Sequence, residues 1–311
     1  MDVSVVIVNW NTRDLLLQCI SSIYDTVRNV EFEIWVVDNG SGDGSVAAVR
    51  DAFPEVTVIE NRENLGFARA NNRALERISG RYALLLNSDA VLTNGAVESL
   101  YRFMEETPAA GMACGQLLNG DGSLQNSFAS FPGLLSLVAN ESVLRVFFPR
   151  RYKPKHLSGT EPAEIDSGIG ACLMVRKEAM DEVGLMDERY FFFFEETDWA
   201  LAMKLAGWKS FFVPSARIYH LQGQSVGHSL RSRILFYQSR YIYFKKWYGR
   251  IYSVVPFLVM ARLAVNLFAN GAATVLTLGM ARPVRSKLLV YAGLVHWHLK
   301  NLGDIFRPGI S

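Results

Sequence analysis

Two rhythms of apolar positions alternate along the first 110 residues. Short runs of aliphatic and β-branched residues, Val3 to Val8, Glu33 to Val37, Thr57 to Glu60 and Tyr82 to Asn87, read as buried strands. Between them the spacing turns helical: Thr12 to Tyr24, with Leu15, Leu16, Cys19, Ile20 and Ile23 on one face, then Ser45 to Phe53, Gly66 to Ile78 and Gly95 to Glu105. Strands interleaved with helices predict an α/β fold, a mostly parallel sheet covered by helices on both faces. Such a sheet binds its ligand beyond the carboxyl ends of its strands. The chemistry is therefore expected just after Val8, Val37, Ile59 and Leu86.

The residues at those strand ends are polar: Asn9 and Asn11, then Asp38 to Gly44, then Asn61 to Gly66, then Asn87, Ser88 and Asp89. Any one of these groups could cap the helix after it; four at one sheet edge favour a binding site. Gly40, Gly42 and Gly44 come after the second strand with G-x-G-x-G spacing, which fits neither a dinucleotide fingerprint nor a phosphate loop ending in Gly-Lys-Ser/Thr.

The remaining third of the chain changes character. Leu263 to Ala281 is 19 residues without a charge, interrupted by Asn266, Asn270, Gly271, Thr274 and Thr277, and a second apolar run covers Leu288 to Leu299. This stretch reaches the lower limit for a spanning helix. Helices lying in the cytoplasmic membrane interface are the preferred reading, with a true span and ordinary packing on the body or in a homo-oligomer as the alternatives. Over all 311 residues, half are hydrophobic and only three are cysteines, which excludes a disordered chain and a disulfide framework. Cys19, Cys114 and Cys172 are expected as buried, reduced thiols. The net charge of +2 is a cancellation. Residues 1 to 110 carry 9 basic and 16 acidic side chains, residues 111 to 216 carry 10 and 13, and residues 217 to 311 carry 13 and 1. An anionic membrane surface suits that basic tail. Nucleic acid does not, because the basic residues alternate with long apolar runs. No basic run precedes the first strand, so no signal peptide is expected and the protein is placed in the cytoplasm, at the inner face of the cell membrane.

Six stretches, in order, resemble the inverting glycosyltransferases of family 2, of the GT-A fold, and especially their bacterial rhamnosyltransferase-like members. They are VSVVIVNWN (Val3 to Asn11), VVDNGSGDGS (Val36 to Ser45), NLGFARANNRAL (Asn64 to Leu75), LLLNSDAVL (Leu84 to Leu92), the segment from Gly170 to Trp208, and YHLQGQS (Tyr219 to Ser225). The resemblance implies a catalytic domain over residues 1–225 and a basic, apolar helical region over 226–311. It implies a nucleotide-diphosphate sugar donor, dTDP- or UDP-linked with rhamnose as first choice, contacted by Asn9, Asn11, Asp38, Asn39, Asn64, Gly66, Arg69, Asn87, Ser88, Asp89 and Gly170. Asp38 would accept the N3–H of the donor base.

Asn87, Ser88 and Asp89 stand where the family has Asp-x-Asp, so Asp89, with His220, would hold Mg²⁺ or Mn²⁺ against the diphosphate. Asn87 replaces the first Asp, so metal binding is expected to be weak until the diphosphate arrives. Single displacement needs a carboxylate base. Family position nominates Glu196, then Glu195, with Asp198 orienting nearby groups; the same residues would equally complement a helix N-terminus. The implied acceptor is a glycan, polyprenyl-diphosphate-linked, in cell wall or O-antigen polysaccharide assembly. A nucleotidyltransferase would need a basic Gly-rich loop at the first strand, which is missing, and a non-catalytic membrane scaffold would leave the polar strand ends without a purpose.

Overall fold

A computed structural model describes residues 1–149, 151–152, 159–221 and 229–306. The Gln222 to Ser225 part of the last motif lies outside these. The chain forms two compact units: Met1–Phe131 with Pro154–Ser225, and Pro132–Lys153 with Val226–Ser311. The segment Pro132–Lys153, expected within the catalytic domain, thus belongs with the C-terminal helices.

The first unit is built on strands β1 (Val3–Asn9), β2 (Phe32–Asp38), β3 (Thr57–Glu60), β4 (Tyr82–Asn87), β5 (Ala90–Leu92), β6 (Ala110–Leu118), β7 (Phe128–Ala129), β8 (Ala163–Ile165), β9 (Ser167–Gly168), β10 (Cys172–Arg176) and β11 (Lys209–His220). Nine of them form one sheet, ordered β3-β2-β1-β4-β10-β6-β11-β5 with β8 beside β11; β7 and β9 pair separately. The first four strands of this order are parallel, as the sequence pattern requires. The sheet as a whole is mixed, because β10 runs antiparallel to both β4 and β6. Since β11 is parallel to β6, its end at His220 returns to the edge where β1, β2 and β4 end. The register sets Asn9 beside Asp38 and Val8 beside Asn87, and pairs His220 with Ala90, next to Asp89.

Alternation along the strands divides the apolar residues between two faces. Val3, Val5, Ile7, Val36, Leu84 and Leu86 pack with Leu16, Cys19, Ile20 and Ile23 of the helix Arg13–Thr26 and with Leu100 and Met104 of the helix Ala96–Glu106. Each such aliphatic side chain contributes about 1.5–3 kcal/mol when fully buried. The helix Phe67–Leu75 packs on β1 and β2 with Ala68, Ala70 and Ala74 buried. All three cysteines are buried and free. One polar strand-end residue does cap helices: Asp43 accepts from the Ser45 amide at 3.1 Å and from the Arg13 amide at 2.9 Å, the first residues of two of the helices. In none of the four helices after β1 to β5 does the N-cap residue's own side chain accept from the helix.

In the second unit, the helices Leu230–Tyr248, Val255–Leu276 and Arg282–Lys300 are joined by the short helices Leu134–Val138 and Glu141–Phe147. The tie is Arg262. Its guanidinium donates to the carbonyls of Ser136 (2.9 Å) and Ala139 (3.2 Å) and to the Asn140 side chain, satisfying the orphan carbonyls that end the first short helix. Tyr248 donates to the Pro132 carbonyl at 2.8 Å. The polar residues that interrupt the apolar run bond to their own helix: Asn270 donates to the Asn266 carbonyl, Thr274 to Asn270 and Thr277 to Ala273. By length and composition, the stretch Leu230–Leu276 contains a helix apolar enough to cross a membrane.

Gly66 marks the tightest fit in the first unit. Its φ is +85°, and a Cβ there would fall 2.4 Å from the Phe191 carbonyl oxygen. Gly66→Ala is expected to cost at least about 1–3 kcal/mol, read as a lowered urea midpoint; an unchanged midpoint would contradict this packing.

Candidate active site

The first cluster at the sheet edge is a closed hydrogen-bond network. Asp38, buried at the end of β2, accepts from the Asn9 side chain at 2.8 Å through one oxygen and from the Ser41 amide at 2.8 Å through the other. Thr12 donates to the Asn9 side-chain oxygen at 2.7 Å and meets the Ser88 hydroxyl at 2.8 Å. Asn11 adopts φ +54°, and its side-chain oxygen accepts from the Gly42 amide at 2.8 Å. Beside these loops an open cavity of about 350 Å³ is lined by Asn11, Thr12, Arg13, Asp14, Leu15 and Asp43.

Asn39 uses both ends of its amide internally. Its nitrogen donates to the Gly66 carbonyl (3.2 Å) and Asn64 (3.3 Å), while its oxygen accepts from Asn61 (2.8 Å). Asn39 and Asn64, expected on the donor, therefore brace the loop before the helix Phe67–Leu75. The close approach that Gly66 permits is to Phe191. Arg69 forms a half-exposed ion pair with Glu188 at 3.4 Å.

The end of β4 is different. Asp89 is 2% exposed, and neither of its oxygens has a hydrogen-bond partner among the described residues. Leaving a carboxylate so is costly. Facing it is His220, whose Nε2 stands 3.4 Å from Asp89 Oδ1 and 3.3 Å from the Asn87 amide nitrogen. At that spacing the pair can share a proton or a cation. No three His, Cys, Asp or Glu side chains gather into a metal cluster among the described residues, so a cation here would take its other ligands from substrate oxygens and water, the usual arrangement for Mg²⁺.

The acidic cluster lies at the start of the helix Glu195–Leu205. Phe193 and Phe194 precede it with φ +71° and +73°. Two consecutive bulky residues in the left-handed region are strained, and such strain collects at functional sites. Glu195 is 3% exposed, and the outer oxygens of both glutamates, Oε2 in each, are buried without a hydrogen-bond partner among the described residues. Burial pushes the Glu195 carboxyl well above the usual range, and the neighbouring Glu196 charge adds to it. Burial also raises Glu196; in both glutamates backbone amides pull the other way, each residue's own together with that of Phe193 for Glu195 and of Gly170 for Glu196. Both carboxyls thus lie above the usual range. Gly170 lies between Glu196 and the Phe67 ring: a Cβ there would stand 3.5 Å from Phe67 and 3.9 Å from Glu196 Oε1. The next carbonyl, of Ala171, accepts from the Asn87 amide at 3.0 Å, so the glutamates connect to the Asn87–His220–Asp89 group through two backbone steps. Asp198 is separate in role, since it accepts from buried Tyr190 at 3.1 Å.

Beyond the expected residues, the structure brings in Thr12, Ser41 and Gln125. The last accepts from His220 Nδ1 at 2.9 Å. Thr12 and Ser41 were within reach of sequence reasoning, being polar and next to motif residues; nothing in the sequence ties Gln125 to a histidine 95 positions away.

The glycosyl transferase family 2 profile matches residues 4–184, more than half of the chain. The chain belongs to glycosyl transferase family 2. This family 2 glycosyltransferase is 30% identical over 229 residues to an N-acetylglucosaminyl-diphospho-decaprenol L-rhamnosyltransferase of Mycobacterium tuberculosis, covering 68% of this chain and 73% of that one. It is 32% identical over 142 residues to a putative teichuronic acid biosynthesis glycosyltransferase of Bacillus subtilis, covering 43% of this chain and 54% of that one. In fold it matches a mannosyltransferase from Pyrobaculum calidifontis in complex with GDP-Man and Mn²⁺ (TM-score 0.59, 19% identity, 97% of this chain and 87% of that one). It also matches a GalNAc-transferase with UDP, GalNAc and Mn²⁺ (TM-score 0.56, 18% identity, 81% and 52%).

Glu195 offers a pH test. The fold stabilises its protonated form, so that stability is full below the ordinary carboxyl range and is lost as pH rises through the raised folded value. Glu195→Gln should unfold at a higher temperature than wild type, with a gap that widens from about pH 5 to about pH 9. A gap that is absent, or narrows with pH, would contradict the raised Glu195 carboxyl.

Proposed function

We propose that this glycosyltransferase inverts the donor's anomeric centre, moving a sugar, rhamnose as first candidate, from a dTDP- or UDP-sugar to a polyprenyl-diphosphate-linked glycan in cell-surface polysaccharide assembly. The observation that carries the reading is the contrast at one sheet edge between a carboxylate bare of hydrogen bonds, Asp89, and a pair of adjacent carboxyls raised by burial, Glu195 and Glu196. The first suits a divalent cation and the second a proton acceptor. The relatives' names support the donor and acceptor classes: one acts on a decaprenyl-diphosphate sugar, and two structural neighbours were solved with nucleotides and Mn²⁺.

Asp89 and His220 would hold Mg²⁺ or Mn²⁺, which, when bound, neutralises the charge that develops on the departing diphosphate. Glu196 accepts the acceptor hydroxyl's proton as that oxygen attacks the anomeric carbon from the side opposite the diphosphate. Its backbone follows directly on the strained turn at Phe193 and Phe194. Asp38, with both oxygens engaged, would meet the donor base through a remaining lone pair while holding Asn9 and Ser41 in place.

The second unit is proposed to hold the enzyme at the inner face of the cell membrane, its helices in the interface. Apolar side chains stand exposed on it, Phe268 at 79% and Leu276 at 84% on the long helix and Phe147 at 72% on the short one. Basic residues nearby would add about 1 kcal/mol each at anionic headgroups.

Glu196→Gln should lower the transfer rate about 10²–10⁴-fold while nucleotide binding, measured by calorimetry, survives; full activity would overturn the base. Wild type should float with anionic vesicles and less with neutral ones, and Phe268→Asp with Leu276→Asp should weaken flotation without unfolding. Equal flotation of that variant would remove the helix from the interface.

A further inference from the structure

We infer that Gln125 is a positioning residue that fixes the tautomer of His220, so that the Nε2 lone pair faces Asp89. The inference rests on the proposed cation site and adds to it a residue outside the family motifs. Gln125 is buried, in the segment leading from β6 to β7. Its amide nitrogen donates to the His220 backbone carbonyl at 2.7 Å and to the Asn119 side-chain oxygen at 2.8 Å. Both partners are acceptors, and a backbone carbonyl can be nothing else. That leaves the Gln125 oxygen toward His220 Nδ1, 2.9 Å away, so Nδ1 must carry the hydrogen.

The polarity is set further back as well. Asn119 donates through its nitrogen to the Ser123 hydroxyl at 2.8 Å, and that hydroxyl donates to Asp121 at 2.6 Å. Asp121 can only accept when ionised, so the orientation of each amide, from Ser123 through Asn119 and Gln125 to His220, is anchored at a carboxylate. With Nδ1 occupied, a neutral imidazole turns its lone pair to the space shared with Asp89 and Asn87. Partners of this kind hold a metal-binding histidine in the required tautomer, and their loss typically weakens metal binding about 10–100-fold.

The test reads tautomer and metal separately. Full-length protein labelled with ¹⁵N-histidine, at about pH 8 where an ordinary imidazole is neutral, reports whether Nδ1 or Nε2 of His220 carries hydrogen; His220→Gln assigns the signals. Wild type should show Nδ1–H, and Gln125→Met should move His220 toward Nε2–H. In parallel, Mn²⁺ affinity measured with UDP or dTDP present should fall about 10–100-fold in Gln125→Met. An Nε2–H tautomer in wild type, or a Gln125→Met variant that keeps Nδ1–H and full Mn²⁺ affinity, would overturn the inference. Absence of Mn²⁺ binding in wild type alongside the expected tautomers would instead overturn the cation site.

Discussion

Burying a carboxylate costs several kcal/mol unless hydrogen bonds or an opposite charge replace the lost water. The carboxyl edge of this sheet buries Asp38 and Asp89, and the helix after the aromatic run adds Glu195 and Asp198. How each is compensated separates structure from chemistry. Asp38 is held by Asn9 and the Ser41 amide, and Asp198 by Tyr190. Asp89 has a histidine nitrogen near it, and burial beside Glu196 raises the Glu195 carboxyl. The proposed reaction assigns a cation to Asp89 and a proton transfer to Glu196, the neighbour of Glu195.

Sheet register delivers these groups to one place. Parallel pairing of β1 with β2 and β4 sets Asn9 level with Asp38 and Val8 level with Asn87, and the antiparallel β10 lets β11 run back parallel to β6, ending at His220 beside β5. The glutamates arrive by a different device, two left-handed phenylalanines whose strain the surrounding packing must hold.

Much of this was legible in the sequence for a physical reason. The first four strands form their sheet from local apolar runs, so their positions and the polar residues after them can be read from pattern alone; Tyr82–Asn87 and Thr57–Glu60 have the expected bounds. The parts that were not legible depend on distant pairing. The partners of the Asn39 amide lie 22 to 27 positions away across the loops. Gln125 reveals nothing until it meets a histidine from another strand. The segment Pro132–Lys153 has an apolar pattern no different from a core element, and Tyr248 and Arg262, more than a hundred residues later, tie it to the helical unit.

The charge division along the chain acquires a physical reading in these terms. The acidic first unit concentrates carboxylates where a dianionic donor is proposed to bind, which demands a cation between them; the basic second unit suits anionic lipid. At the centre stands a cation proposed to be held by Asp89 and His220. Crystals grown with Mn²⁺ and a nucleoside diphosphate test it through anomalous scattering at the manganese edge. The predicted result is a peak between Asp89 Oδ1 and His220 Nε2, with the diphosphate oxygens completing its shell. Nucleotide bound with manganese elsewhere, or with none, would contradict it.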